Sequence, residues 1–303
     1  MRLILFILFI VSGLCLSGKE LKVLMVGNSF SQSVLRTLPQ IAKTAGCQLK
    51  IANAMISGCT FERHVAEWEK CEKNPLYKPY TTNLKLSEGK LASLQDLLSA
   101  EKWDIVTIQQ GSSQSPFPAS YQYAASLITR IRTFLPEAEI MIQQTWSYRS
   151  DSDRLQKWKM SQKEMYDQLT SNYFKLADKN HFRIIPVGWA VELYRQNSGG
   201  RYMPISAEEM DKLKYPHVPA TQNFDAVGNI FWRFNKQNGT WKLINDPIHL
   251  NLRGQYLQGC VWFAVLFQRN AETITFSPRN ISAEDAAFIR NCAQKAIESF
   301  RRQ

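Results

Sequence analysis

Val23 to Ser33 reads VLMVGNSFSQS, an apolar run that ends against Gly27-Asn28-Ser29 and passes into a helix-spaced segment. A run of this kind, Leu21–Val26, suits a parallel strand buried on both faces. Ser31–Ala45 then carries apolar residues at helical spacing and stops at Gly46. The serine at the junction admits two readings. It is either a nucleophile at a strand end or a helix N-cap, and local sequence does not choose between them.

The same grammar recurs downstream. Gln48–Met55 reads as a second strand, and Ser87–Ala100 as a helix with Leu91, Leu94, Leu97 and Leu98 on one face, leading into a third strand at Asp104–Gln109. Helix Ser120–Phe134 precedes the strand in EIMIQQTW (139–146), and the amphipathic Arg154–Asn180 precedes FRIIPV (182–187). Alternation of this sort predicts an α/β layer fold with a central parallel sheet of about five strands. Residues 197–245 break the rhythm with turn chemistry, and IFWRF (230–234) with TWKLI (240–244) predicts a β-hairpin insertion around Asn235–Gly239. Leu252–Gln268 and Ala283–Arg302 close the chain as helices. One domain over 19–303 is expected.

The chain has 303 residues, 45% of them hydrophobic and 12% aromatic, enough for one substantial core. Residues 1–18, MRLILFILFIVSGLCLSG, have the charge, apolar run and small-residue end of a signal peptide, which predicts a periplasmic or secreted protein. A lipid anchor at Cys15 is not expected, because Leu14 stands where a small residue belongs. No later segment offers about 20 uninterrupted apolar residues, so no membrane insertion is expected after cleavage. Cys47, Cys59, Cys71, Cys260 and Cys292 lack metal-site spacing. A bridge among the first three, or small buried hydrophobes, are both open. The formal charge of +11 is spread along the chain, favouring an anionic or surface-bound substrate and offering no nucleic-acid motif.

In a doubly wound sheet, ligands meet the loops that follow the strands. Those loops are Gly27-Asn28-Ser29, Ser57-Gly58-Cys59, Gln110-Gly111-Ser112-Ser113 and Thr145-Trp146, and NDPIHLN (245–251) lies near the C-terminus. A serine nucleophile needs a base and a group that orients the base. Of His64, His181, His217 and His249, the last stands three residues after Asp246, a spacing that on one tight turn places both side chains on the same side. Asp246-Pro247 also reads as a helix start. For His64, in an expected helix, for His181 before a strand and for His217 in the insertion, structural or solvent roles are favoured. No metal or cofactor motif accompanies these residues, and the loops offer amides and hydroxyls rather than the paired carboxylates of a glycosidase.

VLMVGNSFS, NAMISG, DIVTIQQGSS and DPIHLN, in that order, resemble the blocks of the SGNH (GDSL-like) hydrolases, with Asn28 in place of the usual Asp. The resemblance covers about residues 20–270. It implies a three-layer α/β/α flavodoxin-like fold, Ser29 as nucleophile, His249 as base, Asp246 as its orienter and no cofactor. It also implies an oxyanion hole from the N–H groups of Ser29 and Gly58 plus a side chain of the third block. That block departs from the family's G-x-N-D, leaving Gln110, Gln109 or Ser113 as third donor, with Gln110 preferred. Asn28 and Trp146 are expected to meet substrate, and Trp146, Tyr148, Trp189, Trp232 and Trp241 to form a sugar platform or pack in the core. The expected activity is removal of a small acyl group from a glycan. The alternative is a silent glycan-binding or scaffold protein that keeps the fold.

Overall fold

The computed structural model describes residues 19–86 and 89–301. The expected signal segment and Cys15 lie outside the described residues. Among the described residues there are nine strands: β1 (Leu21–Gly27), β2 (Leu49–Met55), β3 (Tyr80–Leu86), β4 (Gly89–Ala92), β5 (Ile105–Ile108), β6 (Glu139–Gln143), β7 (Arg183–Ile185), β8 (Val227–Asn235) and β9 (Thr240–Leu250). The helices begin with α1 (Ser29–Gln32), α2 (Leu38–Thr44), α3 (Phe61–Lys73), α4 (Leu94–Ser99), α5 (Ala124–Phe134) and α6 (Asp153–Trp158). They continue with α7 (Gln162–Asn180), α8 (Val187–Asn197), α9 (Ala207–Asp211), α10 (Leu252–Phe267) and α11 (Ala283–Arg301).

Seven strands form one sheet in the order β4-β3-β2-β1-β5-β6-β7. The five from β2 to β7 are parallel, an order of 2-1-3-4-5 among themselves, as in flavodoxin-like folds. Val23 to Val26 are at most 1% exposed, and burying each such side chain is worth roughly 1.5–3 kcal/mol. Because the chain leaves β1 for β2 on one side and then returns to β5 on the other, a crevice opens beyond the carboxyl end of β1. Ser29 sits there.

Four sequence expectations need correction. The sheet gains β3 and β4, paired antiparallel at the β2 edge, and β4 takes residues assigned to the helix over Ser87–Ala100. Helix α4 starts only at Leu94, where Ser93 and Asp96 form a capping box, and Leu91 is 53% exposed. The helix over Ser31–Ala45 is interrupted at Thr37, whose hydroxyl donates to the Gln255 carbonyl at 2.9 Å. Arg154–Asn180 divides at Lys159, which is left-handed (φ 51°), before the capping box of Ser161 and Glu164 restarts α7. Cys59 and Cys71 are buried free thiols, so no bridge joins the first three cysteines.

The insertion contains the expected hairpin, but its strands are longer. β8 and β9 form a separate two-stranded sheet, and β9 runs on through Asp246 to Leu250. Asp246-Pro247 is therefore strand and not a helix start. The α10 cap is Asn251, whose side chain accepts from the Gly254 N–H at 3.1 Å.

Candidate active site

Ser29 is the first residue of α1, and the cap is its neighbour: the Asn28 side chain accepts from the Phe30 N–H at 3.0 Å. The serine hydroxyl is thereby left to project, and its Oγ lies 2.9 Å from His249 Nε2. On the other side of the ring, His249 Nδ1 donates to Asp246 Oδ2 at 2.8 Å. The carboxylate accepts only, so Nδ1 carries the proton and Nε2 is free to accept from Ser29. Asp246 Oδ1 accepts from the N–H groups of Ile248 and His249 at 3.0 and 3.2 Å. Burial alone would raise the Asp246 carboxyl, but the bonds from the His249 ring and these N–H groups outweigh it and hold the carboxyl below its ordinary range.

The β9 end is held from β6's side of the sheet. Trp146 donates from its ring nitrogen to the Ile248 carbonyl at 2.9 Å, and the Arg149 N–H donates to the Pro247 carbonyl at 2.9 Å. Trp146 stacks on Phe30 with ring centroids 4.0 Å apart, and Phe30 meets the His249 ring edge-on at 5.6 Å. Trp146 is 0% exposed, so of the two readings of the aromatic residues its packing in the core is the one seen, where it supports the histidine instead of meeting substrate. Tyr148 is also buried and donates to Ser112 Oγ at 2.9 Å. Trp189 packs near Tyr166 and bonds Ser299.

Asn28 departs from expectation too. It is 2% exposed, with Nδ2 donating to the Cys59 carbonyl at 2.9 Å and Oδ1 accepting from Gln109 Nε2 at 2.8 Å. Its side chain ties the first loop to the second and is buried behind Ser29, where substrate does not reach. Behind it runs a line of buried amides that sequence reasoning missed. Gln143 Nε2 donates to Gln109, while Gln143 Oε1 accepts from Trp262 Nε1 at 2.8 Å and Gln258 Nε2 at 3.1 Å. The parallel register pairs Ile108 with Ile142, so the glutamines that follow them stand side by side. Gln258 also accepts from Ser33 Oγ at 2.6 Å and donates to the Phe30 carbonyl at 2.8 Å, gripping the turn that carries Ser29.

Gln110, the preferred third donor, points elsewhere. It is 0% exposed; its oxygen accepts from the N–H groups of Phe61 and Gly111, and its NH2 donates to Ser120. Gln109 is committed to Asn28. The N–H groups of Ser29 and Gly58 have no backbone acceptor among the described residues, and Gly58 is left-handed at φ 61°. Ser113 is part-exposed. A cleft of about 400 Å³ opens onto Ser29 and His249, lined also by Gln32, Ser33, Leu35 and Arg36. Of the other histidines, His64 is fully buried, with Nδ1 2.9 Å from the Tyr80 hydroxyl and no partner for Nε2 among the described residues. Burial, aided by the Arg63 charge, pushes its pKa down to about 3.

The sheet order is that of a flavodoxin-like fold, and the strand-end blocks resemble those of the SGNH (GDSL-like) hydrolases. The chain belongs to the DUF4886 family, described as a domain of unknown function, whose model matches residues 22–206. The match includes Ser29 and ends before Asp246 and His249. A DUF4886 family protein from Bacteroides uniformis has a crystal structure 26% identical, with a TM-score of 0.71 over 92% of this chain and 95% of that one. More distant are a provisionally assigned SGNH hydrolase from Slackia heliotrinireducens (19% identical, TM-score 0.48, 82% of this chain and 100% of that one) and an acetyl xylan esterase (13%, 0.45, 81% and 100%). No curated protein matches the chain.

Proposed function

We propose that this chain is an exported serine esterase of SGNH type that removes acetyl or another small acyl group from a glycan. The observation that carries the reading is the unbroken hydrogen-bonded chain from the Ser29 hydroxyl through His249 to Asp246. Ser29 Oγ attacks the ester carbonyl while its proton passes to His249 Nε2, and Asp246 stabilises the imidazolium that forms. The tetrahedral oxyanion collapses to an acyl-serine as the sugar oxygen leaves with the proton from His249. Water, deprotonated by the same nitrogen, then adds to the acyl carbon and releases the carboxylic acid and Ser29.

The N–H groups of Ser29 and Gly58 are the oxyanion donors, and the Ser113 hydroxyl is the third. One such donor is worth about 100- to 1000-fold in rate. The open cleft and the cation on its rim, Arg36, suit a small acyl group on a polar, anionic carrier. Export rests on residues 1–18; no helix among the described residues is long and apolar enough to cross a membrane.

Hydrolysis of p-nitrophenyl acetate tests the reading, and a wild-type rate no higher than that of Ser29→Ala would sink it. The silent glycan-binding alternative draws on one observation, the commitment of Gln110 away from the third-donor role, and that same result would favour it. Acetate release from acetylated polysaccharide, set against cleavage of long-chain esters, tests the substrate class. Exclusive long-chain activity would overturn the glycan assignment.

A further inference from the structure

The β8–β9 hairpin carries an arrangement that its own stability does not favour. Between Val227 and Asn245 the sequence has three cations, Arg233, Lys236 and Lys242, and no carboxylate. Arg233 and Lys242 are direct cross-strand partners, so both side chains leave the same face of the ribbon. Like charges placed directly opposite destabilise a strand pair. All three are exposed, and none lies within ion-pair distance of a carboxylate among the described residues. Arg233 is braced over the Phe231 ring at 5.5 Å, which keeps the guanidinium on that face.

The opposite face is aromatic. Trp241 stacks on Tyr215 with centroids 4.0 Å apart and packs on Phe234 at 5.2 Å, yet these three remain 43%, 50% and 45% exposed. Together with Trp232, which meets Tyr215 edge-on and donates to the His217 carbonyl, these rings pack the hairpin onto the preceding segment and leave the cationic face as the one that meets a ligand. The same strand that carries Lys242 ends in Asp246 and His249. At about 3.4 Å per residue, the four steps from Lys242 to Asp246 span about 14 Å, and the bulge that follows brings His249 beside Asp246. Arg36, exposed and also without an ion-pair partner among the described residues, lines the cleft at the other end. A ligand that touches both ends must be extended and repeatedly charged.

We propose that the hairpin tip and the cleft-side Arg36 hold an acidic polysaccharide, a chain of uronate-type sugars, along β9 toward Ser29. The proposal rests on the esterase reading for its direction of travel, and the binding itself is measured without hydrolysis. The two can therefore fail separately: a Ser29→Ala enzyme as active as wild type removes the esterase and leaves the binding surface, while absent binding leaves the esterase.

The experiment measures binding of the mature chain to polygalacturonate, with neutral dextran and phosphatidylglycerol vesicles alongside, in low and in 0.3 M salt. Wild type is expected to bind polygalacturonate in a salt-sensitive way and to ignore dextran. R233Q/K242Q is expected to bind about tenfold more weakly, since each exposed contact contributes modestly, with p-nitrophenyl acetate turnover unchanged. K242E separates binding from folding, because it sets an opposite charge across from Arg233: a higher Tm with weaker binding is expected. Unchanged affinity in both variants overturns the proposal, as does a parallel fall in Tm and affinity, equal binding to dextran, or tighter binding to the vesicles than to polygalacturonate.

Discussion

Asp246→Asn makes the sharpest demand on the arrangement around His249. The amide oxygen can go on accepting from the Ile248 and His249 N–H groups, which lie 3.0 and 3.2 Å from Oδ1. Its NH2 group then faces Nδ1, where the carboxylate now accepts at 2.8 Å. Two donors cannot share that contact, so Nδ1 becomes an acceptor and the ring proton moves to Nε2. There it opposes the Ser29 hydroxyl instead of receiving its proton. The change leaves no cavity, so the loss is one of tautomer alone. We expect kcat/KM to fall about 1000- to 10,000-fold, or about 4–5.5 kcal/mol of transition-state stabilisation. Steady-state hydrolysis of p-nitrophenyl acetate near neutral pH measures it, with a thermal melt to confirm that the variant is folded. A folded variant within about tenfold of wild type would refute the orienting role of Asp246. The pH dependence has a definite sign: because the folded carboxyl is held below its ordinary range, its stabilisation is complete above the unfolded value of about 3.9 and is lost as pH falls through the folded one. The stability gap between wild type and Asp246→Asn should therefore narrow only below about pH 4.

Three further outcomes follow from the same geometry. Trp146→Phe keeps the stack on Phe30 but removes the donor to Ile248; kcat/KM should drop about tenfold with about 1 kcal/mol lost in urea unfolding, and unchanged kinetics would show that the bond does not position His249. Gln143→Leu strands the ring nitrogen of Trp262 in the core and leaves Gln258 Nε2 with the Phe30 carbonyl alone, so about 2–4 kcal/mol should be lost in urea unfolding; a loss under 1 kcal/mol would mean that the amides re-pair. His64, with its pKa pushed down to about 3 by burial, binds its proton in the unfolded chain first. Stability should be complete above about pH 6.5 and fall by up to about 1.4 kcal/mol per pH unit toward pH 3. His64→Gln should flatten that slope in acid denaturation, and an unaltered slope would place the titration elsewhere.

The strand–helix alternation and the five parallel strands were legible because burial on two faces leaves short apolar runs, and those runs are local. The edge pair β3–β4 was not legible. YTTNLKL has weak alternation, exposed on one side, and Leu91 at helical spacing from Leu94 pointed to the wrong element. At the site, DPIH was legible as an acid near a histidine, while its secondary structure was misread: Asp246 does accept from the N–H groups two and three residues on, as a helix cap would, but the chain bulges there and rejoins β8 where Leu250 pairs with Val227.

Glutamine and tryptophan at strand ends show where local reading stops. Gln109 and Gln110 are adjacent, and the pleat sends one toward Asn28 and Gln143 and the other toward Phe61 and Ser120. Sequence alone determined that polar groups gather after the strands and that a serine and an Asp–His pair are available, because composition and spacing are properties of neighbours. Only the tertiary structure decided which of those groups meet. Ser29 and His249 are 220 residues apart, and their contact depends on the switch in strand order beside β1 and on the register that sets Gln143 beside Gln109. Those are long-range packing choices, and no local pattern encodes them.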